Sequence, residues 1–141
     1  MNTKRAKIKM YKFSERSLNN LATCHPDLQR LFNEVIRFKD CSVISGMRTP
    51  EEQNKLYQQG RTTDGPIVTN IDGYTKKSKH NHNPSLAADV VPYPIDWEDT
   101  EGFKEFGEFV LSKANEMNIN IQWGGDWISF KDWPHYQLKE D

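Results

Sequence analysis

The sequence predicts an α+β fold in which a small antiparallel sheet is flanked by helices. Segments with apolar residues at helical spacing are interleaved with short segments rich in β-branched and small residues. The last two predicted strands lie too close along the chain for the crossover connection that parallel pairing needs, which favours antiparallel pairing. A chain of 141 residues is long enough to form one domain around its own core.

The first third of the chain predicts two helices and a strand. Ser14 stands at the start of "SERSLNNLATC" as an N-cap, and Pro26 occupies the first turn of "HPDLQRLFNEVIRF". Apolar residues recur at helical spacing along the second segment, at Leu28, Leu31, Phe32, Val35 and Ile36. The run "CSVISG" then predicts a short buried strand.

The middle of the chain predicts a third helix, a long loop and a second strand. Thr49 caps the helix "MRTPEEQNKLYQQG", Pro50 begins it and Gly60 ends it. Residues 61–79 are polar and contain glycine and proline, so we expect a loop, and loops of this length are commonly functional. The small and β-branched residues of "LAADVVPY" predict the next strand.

The last part of the chain predicts a helix followed by two strands. The segment "DTEGFKEFGEFVLSKANEMN" carries an apolar stripe, which consists of Phe103, Phe106, Val110, Ala114 and Met117. The alternating segment "INIQWGG" predicts a strand, and "HYQL" predicts a short closing strand.

Composition and charge limit the domain organisation and the function classes. We expect residues 1–12 to be a basic N-terminal tail and residues 13–141 to be a single domain. The net charge of −1 provides no overall field for nucleic-acid binding. No apolar run approaches the roughly 18 residues of a membrane span, and the start lacks the apolar stretch of a secretion signal. We therefore expect synthesis in the cytoplasm, and a monomer is the default expectation.

The segment "KHNHNPSLAAD" suggests half of a metal site. His82 and Asp89 are seven residues apart, the first in a loop and the second on a strand, so a turn between them can bring both to one ion. The candidates for a third ligand are His25, His80 and His135. Asp132 lies three residues before the last of these, where a general base is needed. From the residues alone, an ordinary polar surface loop remains the alternative.

These segments resemble motifs of zinc peptidases with the hedgehog/DD-peptidase fold, including VanY-type D-alanyl-D-alanine carboxypeptidases and phage L-alanyl-D-glutamate endolysins. The run from His82 to Asp89 is similar to the His-x-x-Gly-x-Ala-x-Asp motif, and "DWPHYQL" resembles the second motif, with an acidic residue three before the last zinc histidine. "SGMRTPEEQNKLY" resembles the upstream Gly-x-Arg-Thr segment, and "WGGDW" the aromatic-Gly-x-Asp stretch. The matches run in order from Ser45 to Leu138, and the length and "PYPIDW" are nearest to the phage endolysins.

The resemblance implies one zinc ion per chain, with His82, Asp89 and His135 as its ligands. It implies that Asp132 is the general base and that Arg48 stabilises the oxyanion that forms at the peptide carbonyl. These roles agree with the chemistry of the residue types. Zinc lowers the pKa of water that it binds to about 7. A fixed donor facing the developing charge is worth roughly 3 kcal/mol of barrier.

Departures from the motifs leave alternatives open. Ser85 replaces the glycine of the first motif, and His80 stands where the family often has serine, with Ser78 two residues earlier. A shifted register with His80 as the ligand is therefore an alternative. His82 is preferred because it keeps the spacing to Asp89. Many relatives use glutamate as the base, which is one methylene longer than the aspartate of this chain.

Two further residues have a functional and a structural interpretation. Asp126 would orient a zinc histidine through its second nitrogen or cap its own turn, and Trp133 would line a substrate groove or pack in the core.

The expected function is zinc-dependent hydrolysis of peptidoglycan stem peptides, as a phage endolysin with L-alanyl-D-glutamate endopeptidase activity that acts on the bacterial cell wall after release. The alternatives are a D-alanyl-D-alanine carboxypeptidase with the same zinc chemistry and an HNH-type nuclease, suggested by the string "HNH" at 80–82.

Overall fold

The computed structural model describes residues 10–139. Four α-helices and four strands follow one another as α1 (Glu15–Leu21), α2 (Pro26–Val35), β1 (Cys41–Ser45), α3 (Pro50–Gln58), β2 (Ala87–Pro92), α4 (Thr100–Glu116), β3 (Ile121–Trp123) and β4 (His135–Leu138). Two short 3-10 turns cover Lys79–Asn81 and Gly124–Asp126. Residues 1–9, which make up most of the predicted basic tail, lie outside the described residues.

The four strands form one antiparallel sheet in the order β1-β2-β4-β3. This arrangement confirms the predicted α+β class with a small antiparallel sheet and flanking helices. The last strand of the chain lies inside the sheet, between β2 and β3.

The predicted helices begin at their predicted caps. The side chain of Ser14 accepts a hydrogen bond from the backbone of α1, and the side chain of Thr49 forms a capping box with Glu52 at the start of α3. Gly60, with φ of 82°, follows the end of α3 in the left-handed region that favours glycine. Local sequence signals therefore set these helix boundaries.

One predicted strand is shorter in the structure than the sequence indicates. The segment "INIQWGG" is extended only as far as Trp123, because Gly124–Asp126 form a 3-10 turn. A Cβ atom on Gly124 would collide with the backbone of Asp132, whose N–H donates to the Gly124 carbonyl at 3.1 Å. The glycine pair therefore ends the strand and brings the backbone of a candidate catalytic residue close.

The main core lies between one face of the sheet and the helices α2 and α4. Ala88 and Val90 of β2 and Tyr136 of β4 are fully buried in it. Side chains alternate between the two faces of a strand, so Asp89 and His135 project from the opposite face. The sheet thus separates an apolar core from a polar site. No helix within residues 10–139 is long and apolar enough to cross a membrane.

Candidate metal centre and catalytic cleft

Three polar side chains converge on the face of the sheet opposite the core. Potential ligand atoms of His80, Asp89 and His135 all lie within 4.8 Å of one another. The Oδ1 atom of Asp89 is 3.2 Å from Nε2 of His80 and 3.4 Å from Nδ1 of His135. Two donors that each lie about 2.1 Å from a tetrahedral zinc are about 3.4 Å apart. The separations and the donor types therefore fit one small divalent cation.

The register of the sheet places two of these side chains together. Asp89 of β2 and His135 of β4 are direct cross-strand partners in the antiparallel ladder. Directly opposed residues have Cβ atoms about 5 Å apart on the same face, so a carboxylate and an imidazole at these positions meet without any loop rearrangement. A shift of the register by one residue would move the two side chains to different faces.

The third side chain is positioned by a 3-10 turn. The Ser78 side chain accepts a hydrogen bond from the backbone N–H of His80 at 3.1 Å, and the Asn81 side chain accepts one from the backbone N–H of Ser78 at 2.8 Å. The carbonyl of His80 in turn accepts a hydrogen bond from the backbone N–H of Arg48 at 2.7 Å. This reciprocal capping fixes the turn and buries the His80 ring, which is 1% exposed.

Hydrogen bonds on the outer side of both rings define which nitrogen faces the centre. Nδ1 of His80 lies 2.7 Å from the carbonyl oxygen of Gly46, so this nitrogen carries the proton and Nε2 is free to bind an ion. Nε2 of His135 lies 2.7 Å from Oε1 of Gln137, and the Gln137 amide donates to Gln122 at 3.0 Å. Such outer partners orient metal-binding histidines.

The structure groups His80, and not His82, with Asp89 and His135. His82 follows the 3-10 turn in an extended conformation and lines the cleft outside the three-residue cluster. The preference for His82 rested on its spacing to Asp89, whereas the capped turn directs the side chain of His80 to the centre. The geometry therefore favours His80, the alternative that the sequence leaves open, over His82 as the candidate ligand.

His25, the remaining histidine that the sequence offers as a ligand, has a structural role. The side chain of His25 caps α2 by accepting a hydrogen bond from the backbone N–H of Asp27 at 3.0 Å. It is not among the residues that line the cleft within the described chain.

Charges in the cluster hold Asp89 ionised. Burial alone would raise the pKa of this carboxyl group, but His80, His135 and Arg48 hold it well below its ordinary value. Burial also opposes charge on His135, and the hydrogen bond and negative charge of Asp89 outweigh it and raise the pKa of the imidazole. The cluster therefore consists of an ionised carboxylate beside one guanidinium and two imidazoles. Such a site suits a metal cation, which takes the place of protons on the imidazole nitrogens that face the carboxylate.

Arg48 fixes the orientation of the carboxylate. Its Nη2 donates to Oδ2 of Asp89 at 2.7 Å, its Nη1 donates to Gln53 at 3.0 Å, and its Nε donates to Ser45 at 3.2 Å. Since Oδ2 is taken by the guanidinium, Oδ1 faces the two histidines. Arg48 lines the cleft, and its observed contacts give it a supporting role in addition to the oxyanion role that the resemblance implies.

Replacing Arg48 with leucine is expected to destabilise the metal-free protein by about 3 kcal/mol, because a mostly buried carboxylate loses its cation. Urea unfolding in the presence of a chelator measures the change. The matched control is Arg30→Leu, which removes the exposed ion pair to Asp27 and is expected to cost less than about 1 kcal/mol. Equal losses in the two variants would contradict the structural role of Arg48.

Asp132 stands beside the cluster at the edge of the cleft. Its Oδ2 lies 3.9 Å from Nδ1 of His135, and its side chain is 34% exposed. Burial and the negative charge of Asp89 raise the pKa of this carboxyl group above its ordinary value. A carboxylate with a raised pKa that contacts both solvent and the ion site has the properties of a general base.

The three remaining candidate residues lie outside the cluster of His80, Asp89 and His135. Ser78 caps the turn that carries His80. Asp126 is exposed on the second 3-10 turn, and no hydrogen bond between its side chain and a histidine is found within residues 10–139. Trp133 packs against the core, where its carbonyl accepts a hydrogen bond from the Trp123 indole at 2.8 Å. The structural interpretation of Trp133 is therefore the better one.

A cleft with a volume of about 830 Å³ opens over the cluster. Its floor carries His80, Asp89, Asp132 and His135, and its walls include Arg48, Leu56, Val68, Lys77, Lys79, Trp97, Trp127 and Phe130. The sequence predicted no role for the side chains of Trp97 and Phe130, although Trp97 ends the run "PYPIDW" that is similar to the phage endolysins. Sequence reasoning also missed Gln137, whose position two residues after His135 on a strand places both side chains on one face.

Two histidines and a carboxylate that converge beside a second carboxylate in the cleft form a candidate site for a single metal ion, the arrangement expected of a mononuclear metallopeptidase. Residues 9–138 match the family of phage L-alanyl-D-glutamate peptidases, and the chain belongs to this family. The match covers almost the whole chain and confirms the family that the motifs indicated.

Individual relatives agree with this assignment. The chain is 33% identical over 105 residues to the peptidoglycan L-alanyl-D-glutamate endopeptidase CwlK of Bacillus subtilis (strain 168), a match that covers 70% of this chain and 60% of that protein. It is 27% identical over 135 residues to the L-alanyl-D-glutamate peptidase of Escherichia phage T5, with coverage of 92% and 90%. The crystal structure of the Serratia marcescens L-Ala D-Glu endopeptidase ChiX superimposes with a TM-score of 0.71 at 29% identity, with coverage of 95% and 94%.

Proposed function

We propose that this protein is a zinc-dependent endopeptidase that hydrolyses the L-alanyl-D-glutamate bond in peptidoglycan stem peptides, in the manner of a phage endolysin. The observation that carries the proposal is the convergence of His80, Asp89 and His135 next to Asp132 on the floor of the cleft. Family membership and the names of the relatives support the bond specificity.

In this proposal, His80, Asp89 and His135 would hold one zinc ion, with Nε2 of His80, Oδ1 of Asp89 and Nδ1 of His135 as the donor atoms that face one another. When bound there, zinc supplies a Lewis acid that polarises the scissile carbonyl and lowers the pKa of water to about 7. Gly46 and Gln137 keep the two rings in the required tautomers, and Arg48 keeps the carboxylate in the required orientation.

The residues of the chain then carry the proton and stabilise charge. Asp132 takes a proton from the attacking water and delivers it to the leaving amine, since its raised pKa suits it to exchange a proton during the reaction. Arg48 has N–H groups besides those that bind Asp89, Gln53 and Ser45, and these would donate to the oxyanion at the attacked carbonyl.

The charge of the cleft walls suits an acidic substrate. Lys77 and Lys79 line the cleft beside the 3-10 turn that carries His80. The D-glutamate residue of the stem carries a carboxylate close to the bond that is cut, and ammonium groups at this position attract it. We further infer that the protein acts as a monomer on the cell wall after release from the cytoplasm.

Digestion of purified peptidoglycan, with mass spectrometry of the products and zinc quantification on the same protein, tests the function. We expect about one zinc ion per chain and released stem peptides that begin with D-glutamate, and we expect chelation to stop the reaction and added zinc to restore it. Release of free D-alanine without new D-glutamate termini would instead identify a D-alanyl-D-alanine carboxypeptidase. Intact peptidoglycan in the presence of bound zinc would refute both activities.

A further inference from the structure

An exposed tryptophan stands at the mouth of the cleft. Trp97 lies in the segment between β2 and α4, is 60% exposed and lines the cleft. One face of its indole stacks on the ring of Phe103, at 5.6 Å between centroids and an interplanar angle of 24°. Phe103 is 2% exposed and belongs to α4. The indole is therefore supported from below by the core and presents its other face to solvent.

The segment that carries Trp97 is held by local hydrogen bonds. The side chain of Asp96 accepts from the backbone of Glu98 at 3.0 Å, and the side chain of Asp99 accepts from the backbone of Gly102 at 3.0 Å, where it caps α4. An aromatic ring that is exposed yet held in one place resembles the anchors of binding surfaces, because little conformational entropy is lost when a ligand stacks on it.

Trp97 belongs to an apolar rim around a polar floor. Phe130 and Val68 are each 39% exposed and line the same cleft, which also contains Trp127. Scattered exposed apolar residues need no explanation, but a group that shares the mouth of a catalytic cleft indicates a contact surface for part of the substrate.

The chemistry of the proposed substrate identifies that part. In peptidoglycan, the amino group of L-alanine is joined to the sugar ring of muramic acid through a lactyl group, so one amino acid and the lactyl group separate the scissile bond from the sugar. One extended residue spans about 3.5 Å. When the scissile carbonyl lies at the cluster of His80, Asp89 and His135, the first sugar of the glycan strand therefore lies within reach of the residues that line the cleft.

We propose that Trp97, which lines the cleft together with Phe130, forms a subsite for the glycan strand of peptidoglycan. Sugar rings expose faces of C–H groups with partial positive charge, and these stack on the electron-rich face of an indole. The inference rests on the proposed function and extends it, because it makes the enzyme selective for stem peptides that are still attached to sugar.

Paired substrates test the subsite. One is a disaccharide tetrapeptide, and the other is the same tetrapeptide with an acetyl group on L-alanine in place of the muramyl group. For Trp97→Ala, kcat/KM is expected to fall about tenfold on the sugar-linked substrate, equivalent to about 1.4 kcal/mol, and to change by less than about twofold on the free peptide. Trp97→Phe should retain much of the preference, since it keeps a ring.

The matched control is Tyr74→Ala, which removes an aromatic side chain that is 58% exposed but does not line the cleft. It is expected to match the wild type on both substrates. Equal losses on both substrates for Trp97→Ala, or no loss on either, would overturn the subsite. A wild-type enzyme that cleaves neither substrate would refute the proposed function instead.

Binding without turnover separates the two proposals. Calorimetric titration of the zinc-loaded protein with glycan oligomers whose stems have been removed should show binding to the wild type and to Tyr74→Ala, and binding at least tenfold weaker to Trp97→Ala. Absence of binding to the wild type, or equal binding to Trp97→Ala, would overturn the subsite whatever the activity of the enzyme.

Discussion

The His80→Ala variant is expected to lose zinc and activity, whereas His82→Ala is expected to keep both. His80 is buried, and its Nε2 faces Asp89, so its removal takes away one of three donors. Loss of an outer partner of a metal ligand already costs about 10- to 100-fold in affinity, and loss of the ligand itself should exceed that. Titration against a chromophoric zinc chelator measures the affinity.

His82→Ala is the matched control because it removes an imidazole two residues away, from the wall of the same cleft. We expect its zinc affinity to change by less than about threefold. Circular dichroism and thermal unfolding of both variants in the presence of chelator show whether the fold survives. If His82→Ala loses zinc and His80→Ala retains it, His80 is not a zinc ligand and the spacing that favours His82 is the better guide.

Replacing Asp132 with asparagine is expected to lower kcat by about 10²- to 10⁴-fold while zinc content stays at about one ion per chain. The amide keeps the size of the side chain but cannot accept a proton from water. Because Asp132 stands beside the three donors and is not one of them, metal binding should survive. Steady-state kinetics on purified muropeptides, together with metal analysis of the same sample, separates loss of the base from loss of the ion.

Asp126→Asn provides the control for the Asp132 experiment. It makes the same chemical change on an exposed aspartate of the neighbouring 3-10 turn, and its kcat should stay within about twofold of the wild type. Asp132→Glu, which restores the carboxylate on a longer side chain, should recover part of the activity. An Asp132→Asn variant with unchanged kcat would exclude the role as general base.

Most of the secondary structure was predictable because its signals are local. Ser14, Pro26 and Thr49 mark helix starts by hydrogen bonds and backbone angles that depend on a few neighbouring residues. The end of β3 was missed because the alternating pattern continues to the glycines, and only the close approach of Gly124 to the backbone of Asp132 turns the chain away.

The site was predictable in part, and its uncertain member shows why. Asp89 and His135 lie on strands whose register is set by the core, so side-chain alternation places them reliably. His80 and His82 lie in a loop, where spacing to Asp89 says little about direction. The deciding contacts are the capping bonds of Ser78 and Asn81 and the carbonyl of Gly46, which is distant in sequence. The pair Ser78 and Asn81, spaced as a cap, was the one local signal for this turn.

The position of β4 inside the sheet also has a consequence for folding kinetics. β2 and β3 both pair with β4, so the sheet cannot close until the last strand inserts between partners that precede it in the chain. Pairing of β4 with β2, which are separated along the chain by α4 and β3, is slow, because the loop entropy is lost before the contacts form. The same insertion brings His135 to Asp89 and Tyr136 into the core. Chains in which β4 has not yet paired with β2 therefore lack the assembled site and are inactive. Activity should recover during refolding at the rate at which β4 pairs with β2.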